Sequence, residues 1–151
     1  MRVTIVAVGR PRNKAVAAAI DEYEKRAGRY WQLHVREIRE ERGSEGAAVR
    51  RGEAARLADA VGAEPFVACE EDGRTFSSEA FAAWLRTERD NARNVTFVLG
   101  GAFGLDPSLG AQARMRLSLA PWTLPHELAR LVLSEQLYRA GSILRGEPYH
   151  K

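Results

Sequence analysis

The chain has 151 residues, a hydrophobic fraction of 45% and a formal charge of +3, which describes one globular domain and excludes a disordered polymer. A single cysteine, Cys69, excludes an internal disulfide and a multi-cysteine zinc knuckle. No stretch approaches the roughly 20 apolar residues of a membrane span. The charge is uneven: residues 1–56 carry 13 basic and 8 acidic groups, residues 57–95 carry 4 and 8, and residues 96–151 carry 6 and 4. Two basic ends thus flank an acidic middle. The reading is of a soluble intracellular protein, no membrane partner, and a basic excess that permits a nucleic acid.

Strands and helices alternate along the chain. Val3 to Val8 is a β-branched run ending at Gly9, a buried strand. Asn13 caps a helix whose apolar positions Val16, Ala19, Ile20, Tyr23 and Ala27 recur at helical spacing. Gln32 to Arg39 alternates imperfectly and reads as a partly exposed strand, followed by a charged, mobile loop from Glu40 to Gly46. Ala47 to Val61 is a helix stopped by Gly62. Pro65 to Glu70 reads as a strand with Asp72-Gly73 as its turn, and Ser77 or Ser78 caps the next helix, with Glu79 in its first turn. Val95 to Leu99 is the strongest strand signal. Leu105 to Arg114 reads as a loop with a short helix, Met115 to Leu119 as a fifth strand, and Pro125 to Leu144 as the longest helix, stopped by Gly146. The alternation predicts an α/β fold, a mostly parallel sheet with helices on both faces, in a single domain over 1–151.

Several chemistries are absent. There is no G-x-x-x-x-G-K-[ST] phosphate loop and no G-x-S-x-G nucleophile elbow. His126-Glu127 begins like a zinc-protease motif, but Arg130 stands where the second His belongs, and His34, His126 and His150 have no metal-ligand spacing. No metal site is expected. Glu70, Glu71 and Asp72 follow Cys69 directly, and negative charge raises a thiol pKa, so Cys69 reads as structural.

What remains is glycine and a stiff segment. Gly100-Gly101-Ala102-Phe103-Gly104 follows a buried strand, where open α/β sheets gather ligands; it reads equally as a tight turn. Two prolines four residues apart stiffen Leu117-Ser118-Leu119-Ala120-Pro121-Trp122-Thr123-Leu124-Pro125. An extended segment of that kind presents bare backbone groups and suits a neutral heterocycle; the alternative is an ordinary connection with Trp122 in the core. The last helix is apolar on more than one side, through Leu128, Leu131, Val132, Leu133, Leu137 and Leu144, which points to a homodimer interface. Glu135 and Arg139, and His126 and Arg130, pair at i, i+4. The closing Tyr149-His150-Lys151 joins a stacking ring to two basic groups, in a tail of the kind that usually frays.

The order of these segments carries a resemblance. Phe97-Val98-Leu99-Gly100-Gly101…Gly104-Leu105, Leu117-Ser118-Leu119…Thr123-Leu124-Pro125-His126, Glu135-Gln136-Leu137-Tyr138-Arg139-Ala140 and Pro148-Tyr149-His150-Lys151 resemble the RlmH family, 23S rRNA pseudouridine N3-methyltransferases of the SPOUT class. Val6-Ala7-Val8-Gly9 and Glu22-Tyr23-Glu24-Lys25-Arg26 fit the same pattern. The resemblance spans essentially the whole chain. It implies a cytoplasmic homodimer with an α/β-knot fold, a C-terminal trefoil knot, and 23S rRNA within the ribosome as partner. It also implies S-adenosylmethionine bound by Cys69, Gly100, Leu119, Ala120, Pro121, Trp122, Thr123 and Leu124. The chain departs from the family in two places: Cys69 replaces a common Leu, and Ala120-Pro121-Trp122 replaces Ser-Lys-Met or similar, so backbone contacts carry over where side-chain roles do not. The chemistry that such a cofactor requires makes Tyr149 and His150 the candidates for arranging the acceptor base, Arg139 and Arg130 for steadying negative charge, Lys151 for touching phosphate and His126 for touching substrate. Arg10, Arg12 and Lys14 are the expected rRNA contacts. Two alternatives stand beside this reading: a non-catalytic RNA-binding module of the same fold, and an enzyme of the class acting on another RNA.

Overall fold

Hydrophobic runs decide which strands lie inside. In the computed structural model, which describes residues 1–151, β1 (Arg2–Val8), β2 (Gln32–Ile38), β3 (Val67–Arg74), β4 (Val95–Leu99) and β5 (Met115–Leu117) form one parallel sheet in the order β2-β1-β4-β3-β5. β4 is buried throughout and β1 from Val3 onward, as unbroken apolar runs demand, whereas the alternating β2 takes an edge.

The two-residue period of each strand divides the core in two. Val3, Ile5 and Ala7 of β1 face α1 (Lys14–Ala27), α3 (Ser78–Asp90) and α5 (His126–Leu144), packing with Trp31, Phe81, Phe97, Leu133 and Leu137. Val6 and Val8 face the other way, against Leu57 and Val61 of α2 (Gly46–Val61) and Leu109 of α4 (Pro107–Gln112). Helices cover both faces, as the alternation predicts. None is long and apolar enough to cross a membrane.

Local chemistry sets the helix ends. The Asn13 side chain accepts from the Ala15 and Val16 N–H groups at 3.1 Å each, and Ser77 Oγ from Ala80 N–H at 3.1 Å. α2 begins on Glu45, a cap that the sequence reading does not name; bonds from the Ala48 and Ala47 N–H groups hold its carboxyl below the usual carboxylate range. Gly62, at φ +72°, ends α2 in a conformation that glycine tolerates best.

Two expectations are corrected. Asp72-Gly73 is no turn: β3 runs on to Arg74, and both Cys69 and Arg74 pair with Leu117, so the residues between them bulge outward. Gly73 passes so near β5 that a Cβ there would stand 2.7 Å from the Arg116 and Leu117 backbone, and Arg116 holds both Glu70 and Asp72. Turn-forming residues here serve a bulge instead. β5 also stops at Leu117 rather than Leu119, because Ser118 N–H bonds back to Arg74 O at 2.9 Å and Ser118 Oγ donates to Ala120 O at 2.7 Å.

Candidate active site

The carboxyl ends of β3, β4 and β5 open on a cleft of about 860 Å³. Cys69, Gly100, Leu119, Ala120, Trp122, Thr123, Leu124 and His126 all line it; Pro121, between two of them, does not. The glycine loop is both things its sequence allowed. Gly104 N–H closes a turn onto Gly101 O at 3.0 Å, with Gly104 at φ +78°, and the loop forms one wall of the cleft. Gly100 has no alternative residue, since a Cβ there would stand 2.5 Å from the Gly104 carbonyl carbon.

The opposite wall is the stiff segment. None of the N–H groups of Leu119, Ala120, Trp122, Thr123 and Leu124 has a partner within the protein. Paired prolines keep this backbone from folding onto itself, so its donors stay free for a ligand. Trp122 is 80% exposed, which removes the reading of this ring as core. It stands at the mouth of the cleft with Phe103, while Leu128 is exposed on the first turn of α5.

Acidic groups complete the walls, and the sequence reading did not place them there. Glu70, Glu71 and Asp72 line the cleft, Thr123 Oγ1 donates to Glu71 Oε1 at 2.8 Å, and Arg116 holds Asp72 below the usual carboxylate range. The signal was present as three consecutive acids, which lie in the bulged part of β3 and line the cleft. Burial, and next the neighbouring Glu70 charge, push the Cys69 thiol up to about 12. An inert thiol is what the sequence predicts.

Tyr149, His150 and Arg139 meet one another, but outside this cleft. Tyr149 Oη donates to Glu135 Oε1 at 3.0 Å and lies 3.3 Å from Tyr23 Oη. Arg139 Nε donates to the same Glu135 oxygen at 2.9 Å, its guanidinium sits 4.7 Å from the Tyr149 ring centre, and His150 bridges Arg139 and Glu79 at 3.2 and 2.8 Å. Burial raises the Tyr149 hydroxyl pKa, with the Tyr23 and Glu135 bonds adding to it. The tail is therefore docked rather than frayed. Glu135 is six residues beyond Ala129, the last cleft residue of α5, or about 9 Å of helix rise.

The basic candidates separate. Arg10, Arg12, Lys14 and Lys151 are exposed. Arg12 pairs with Glu40, and its backbone N–H with Glu127. Arg130 is 6% exposed and committed inside the protein, its Nε donating to Glu24 at 2.9 Å and its Nη1 3.5 Å from Glu37. Burial opposes its charge, but Glu24 and Glu37 outweigh this and raise its pKa. It touches a small recess with Arg10 and His126 beside Gly100.

Comparison with known proteins decides what this architecture is. A family model described as "Predicted SPOUT methyltransferase" matches residues 1–150. The chain belongs to the SPOUT methyltransferase family. Among its SPOUT relatives, "Ribosomal RNA large subunit methyltransferase H" of Gemmatimonas aurantiaca is 54% identical, with all of both chains covered. The protein of the same name from Anaeromyxobacter dehalogenans is 46% identical, again over all of both chains. A solved structure of a probable methylase family protein from Haemophilus influenzae superposes with TM-score 0.57 at 15% identity, covering 99% of this chain and 70% of that one. It is a likeness of fold. The SPOUT assignment agrees with the parallel five-stranded sheet and with the resemblance drawn along essentially the whole chain.

Proposed function

We propose that this chain transfers a methyl group from S-adenosylmethionine to N3 of a pseudouridine in 23S rRNA of the assembled ribosome, acting in the cytoplasm as a homodimer. The observation that carries the reading is the cleft wall from Leu119 to Leu124: free backbone donors facing Gly100 across a cavity of about 860 Å³, in a chain 54% identical throughout to a named large-subunit rRNA methyltransferase. Free N–H groups suit the acceptor edge of an adenine, the Leu119 and Leu124 side chains give it an apolar wall, and an acid-lined cavity suits a positively charged donor. The residues present thus fit the cofactor.

S-adenosylmethionine supplies an already activated methyl, so the chain's own part is to bind, orient and exclude water. The N–H groups of Leu119, Ala120, Trp122, Thr123 and Leu124, with the backbone of Gly100, hold the heterocycle, and Cys69 closes the floor as an uncharged thiol. The acceptor N3 must lose its proton, and a fixed cation nearby steadies the charge left behind. Arg139 supplies one, its guanidinium held cationic by Glu135, with Tyr149 and His150 arranging the base beside it. Their own chain's cleft contains none of the three, so in this reading the tail of one subunit serves the cleft of another. Leu128, half-buried Leu131 and Val132 of α5 form the subunit face. Exposed Arg10, Arg12, Lys14 and Lys151 meet rRNA phosphates, and His126 at the cleft edge meets the substrate base.

The same reading includes a trefoil knot. It is supported by β5 standing outside β3 while the next helix returns to pack on α1 and α3. The test is transfer of labelled methyl from S-adenosylmethionine to ribosomes from a strain lacking the gene, followed by mass spectrometry of digested 23S rRNA. A new methyl on pseudouridine is expected. Cofactor binding without transfer to 23S rRNA would move the substrate to another RNA.

A further inference from the structure

Glu53 of α2 is a buried carboxylate that nothing described so far uses. It is 3% exposed, accepts Glu41 N–H through Oε2 at 3.1 Å, and leaves Oε1 without any hydrogen-bond partner. The neighbouring arginines are occupied elsewhere: Arg56 bonds Glu41 and the Arg39 carbonyl, and Arg50 reaches the Phe103 carbonyl. A buried charge without a cation is expensive, and a protein keeps one where something else offsets it.

Its position says what that is. A Cβ on Gly101 would stand 3.0 Å from Glu53 Oε1 and 3.2 Å from Oε2, so the carboxylate presses directly on the glycine loop from behind. Gly101 lines the cleft. Only one residue of backbone separates the unpaired carboxylate from the space where a ligand sits. Across that space stand Glu70, Glu71 and Asp72, of which Glu70 and Asp72 are offset by Arg116. No arginine or lysine lines the cleft, and His126 is its sole basic side chain. The cleft lining is therefore acidic, and low-dielectric protein behind it strengthens the reach of an unpaired charge.

We propose that Glu53 is a positioning residue that reads ligand charge across Gly101, selecting the cationic sulfonium of S-adenosylmethionine over the uncharged thioether S-adenosylhomocysteine. The inference rests on the methyl-donor reading above and deepens it. Methyl transfer moves the positive charge off sulfur: the S–CH3 bond breaks, the N3–CH3 bond forms, and the N3 proton leaves to solvent. What remains in the cleft is neutral, so the attraction to Glu53 ends with the reaction and the product departs.

Titration calorimetry on the intact chain, Glu53→Gln and Glu53→Asp tests this with both ligands. Glu53→Gln keeps the shape and removes the charge; it is expected to weaken S-adenosylmethionine about tenfold while S-adenosylhomocysteine stays within about twofold. Glu53→Asp, which restores the charge, is expected to restore the ratio of the two. Equal losses for both ligands, or an unchanged ratio, would overturn the proposal, because a merely structural role moves both affinities together. If Glu53→Gln does not fold, the intact chain decides: an analogue carrying an ammonium in place of the sulfonium should bind about tenfold tighter than S-adenosylhomocysteine, and equal binding overturns the proposal. Failure of the intact chain to bind S-adenosylmethionine at all is a different result, which removes the methyl-donor reading and this inference with it.

Discussion

The cleft lies at the start of α5 and the tail docks farther along it, and the two are built on opposite rules. In the cleft wall, backbone donors from Leu119 to Leu124 are left free and a tryptophan is left in water. Around the tail, Tyr149, His150, Arg139, Glu135, Tyr23 and Glu79 bond one another through every group that faces inward. The contrast teaches where stability and function reside. Saturated clusters hold a conformation, whereas polar groups kept unpaired by stiff backbone await a ligand. In the proposed function, the tail gives up some of these paired groups when it meets an RNA base.

The largest expected effect is at the buried ion pair of Arg130 with Glu24, apart from both regions. Arg130→Ala strands the largely buried Glu24 carboxylate and should lower stability by about 3 kcal/mol, read as a shift in urea midpoint. An effect below about 1 kcal/mol would place Arg130 among ordinary surface ion pairs. Next comes Gly100→Ala, whose added methyl meets the Gly104 backbone; about 2 kcal/mol of lost stability and no measurable cofactor binding are expected. Binding that survives intact would remove the glycine loop from the site. Glu135→Gln weakens the common acceptor of Arg139 and Tyr149, with a stability loss of about 1 kcal/mol and faster proteolysis of residues 147–151. A tail no more accessible than before would show that the aromatic contacts, including Tyr138 with Tyr149 at 4.5 Å, hold it alone.

The two smallest effects separate the regions most cleanly. Trp122→Ala should change stability by no more than about 0.5 kcal/mol, as an exposed residue does, yet weaken cofactor binding several-fold. Parallel loss of both would return Trp122 to the core. Cys69 has its pKa raised in the folded state, so its contribution to stability is complete below the ordinary thiol range and declines as pH rises toward about 12. A thiol reagent at pH 8 should therefore label unfolded chain far faster than folded chain, and equal rates would mean an open, ionised thiol.

Much of the fold was legible because period and composition agreed. The unbroken Val95–Leu99, the capping Asn13 and the stop at Gly62 each have a local cause, and each element appears where that cause puts it. Asp72-Gly73 was misread because a turn signal is also a bulge signal, and only the neighbouring strand decides between them. Within the site, two prolines made the stiff segment readable before any coordinates. The acid wall and Glu53 were not readable: a carboxylate on the second helix reaches Gly101 through tertiary packing alone, with no spacing in the chain to announce it. The cluster around Glu135 was half visible, as an i, i+4 pair whose other partners come from the two ends of the sequence.

The exposed indole at the cleft mouth gives the molecule a built-in optical gauge. Trp31 is buried and donates its ring N–H to Leu137 O at 2.8 Å, and Trp84 is stacked on Phe81 with ring centres 5.9 Å apart. Trp122 is by far the most exposed of the three. Its fluorescence is the most open to iodide, with Trp31 buried and Trp84 partly covered, so quenching reports mainly empty clefts, and the blue shift expected when a ligand covers the ring follows occupancy without any label attached.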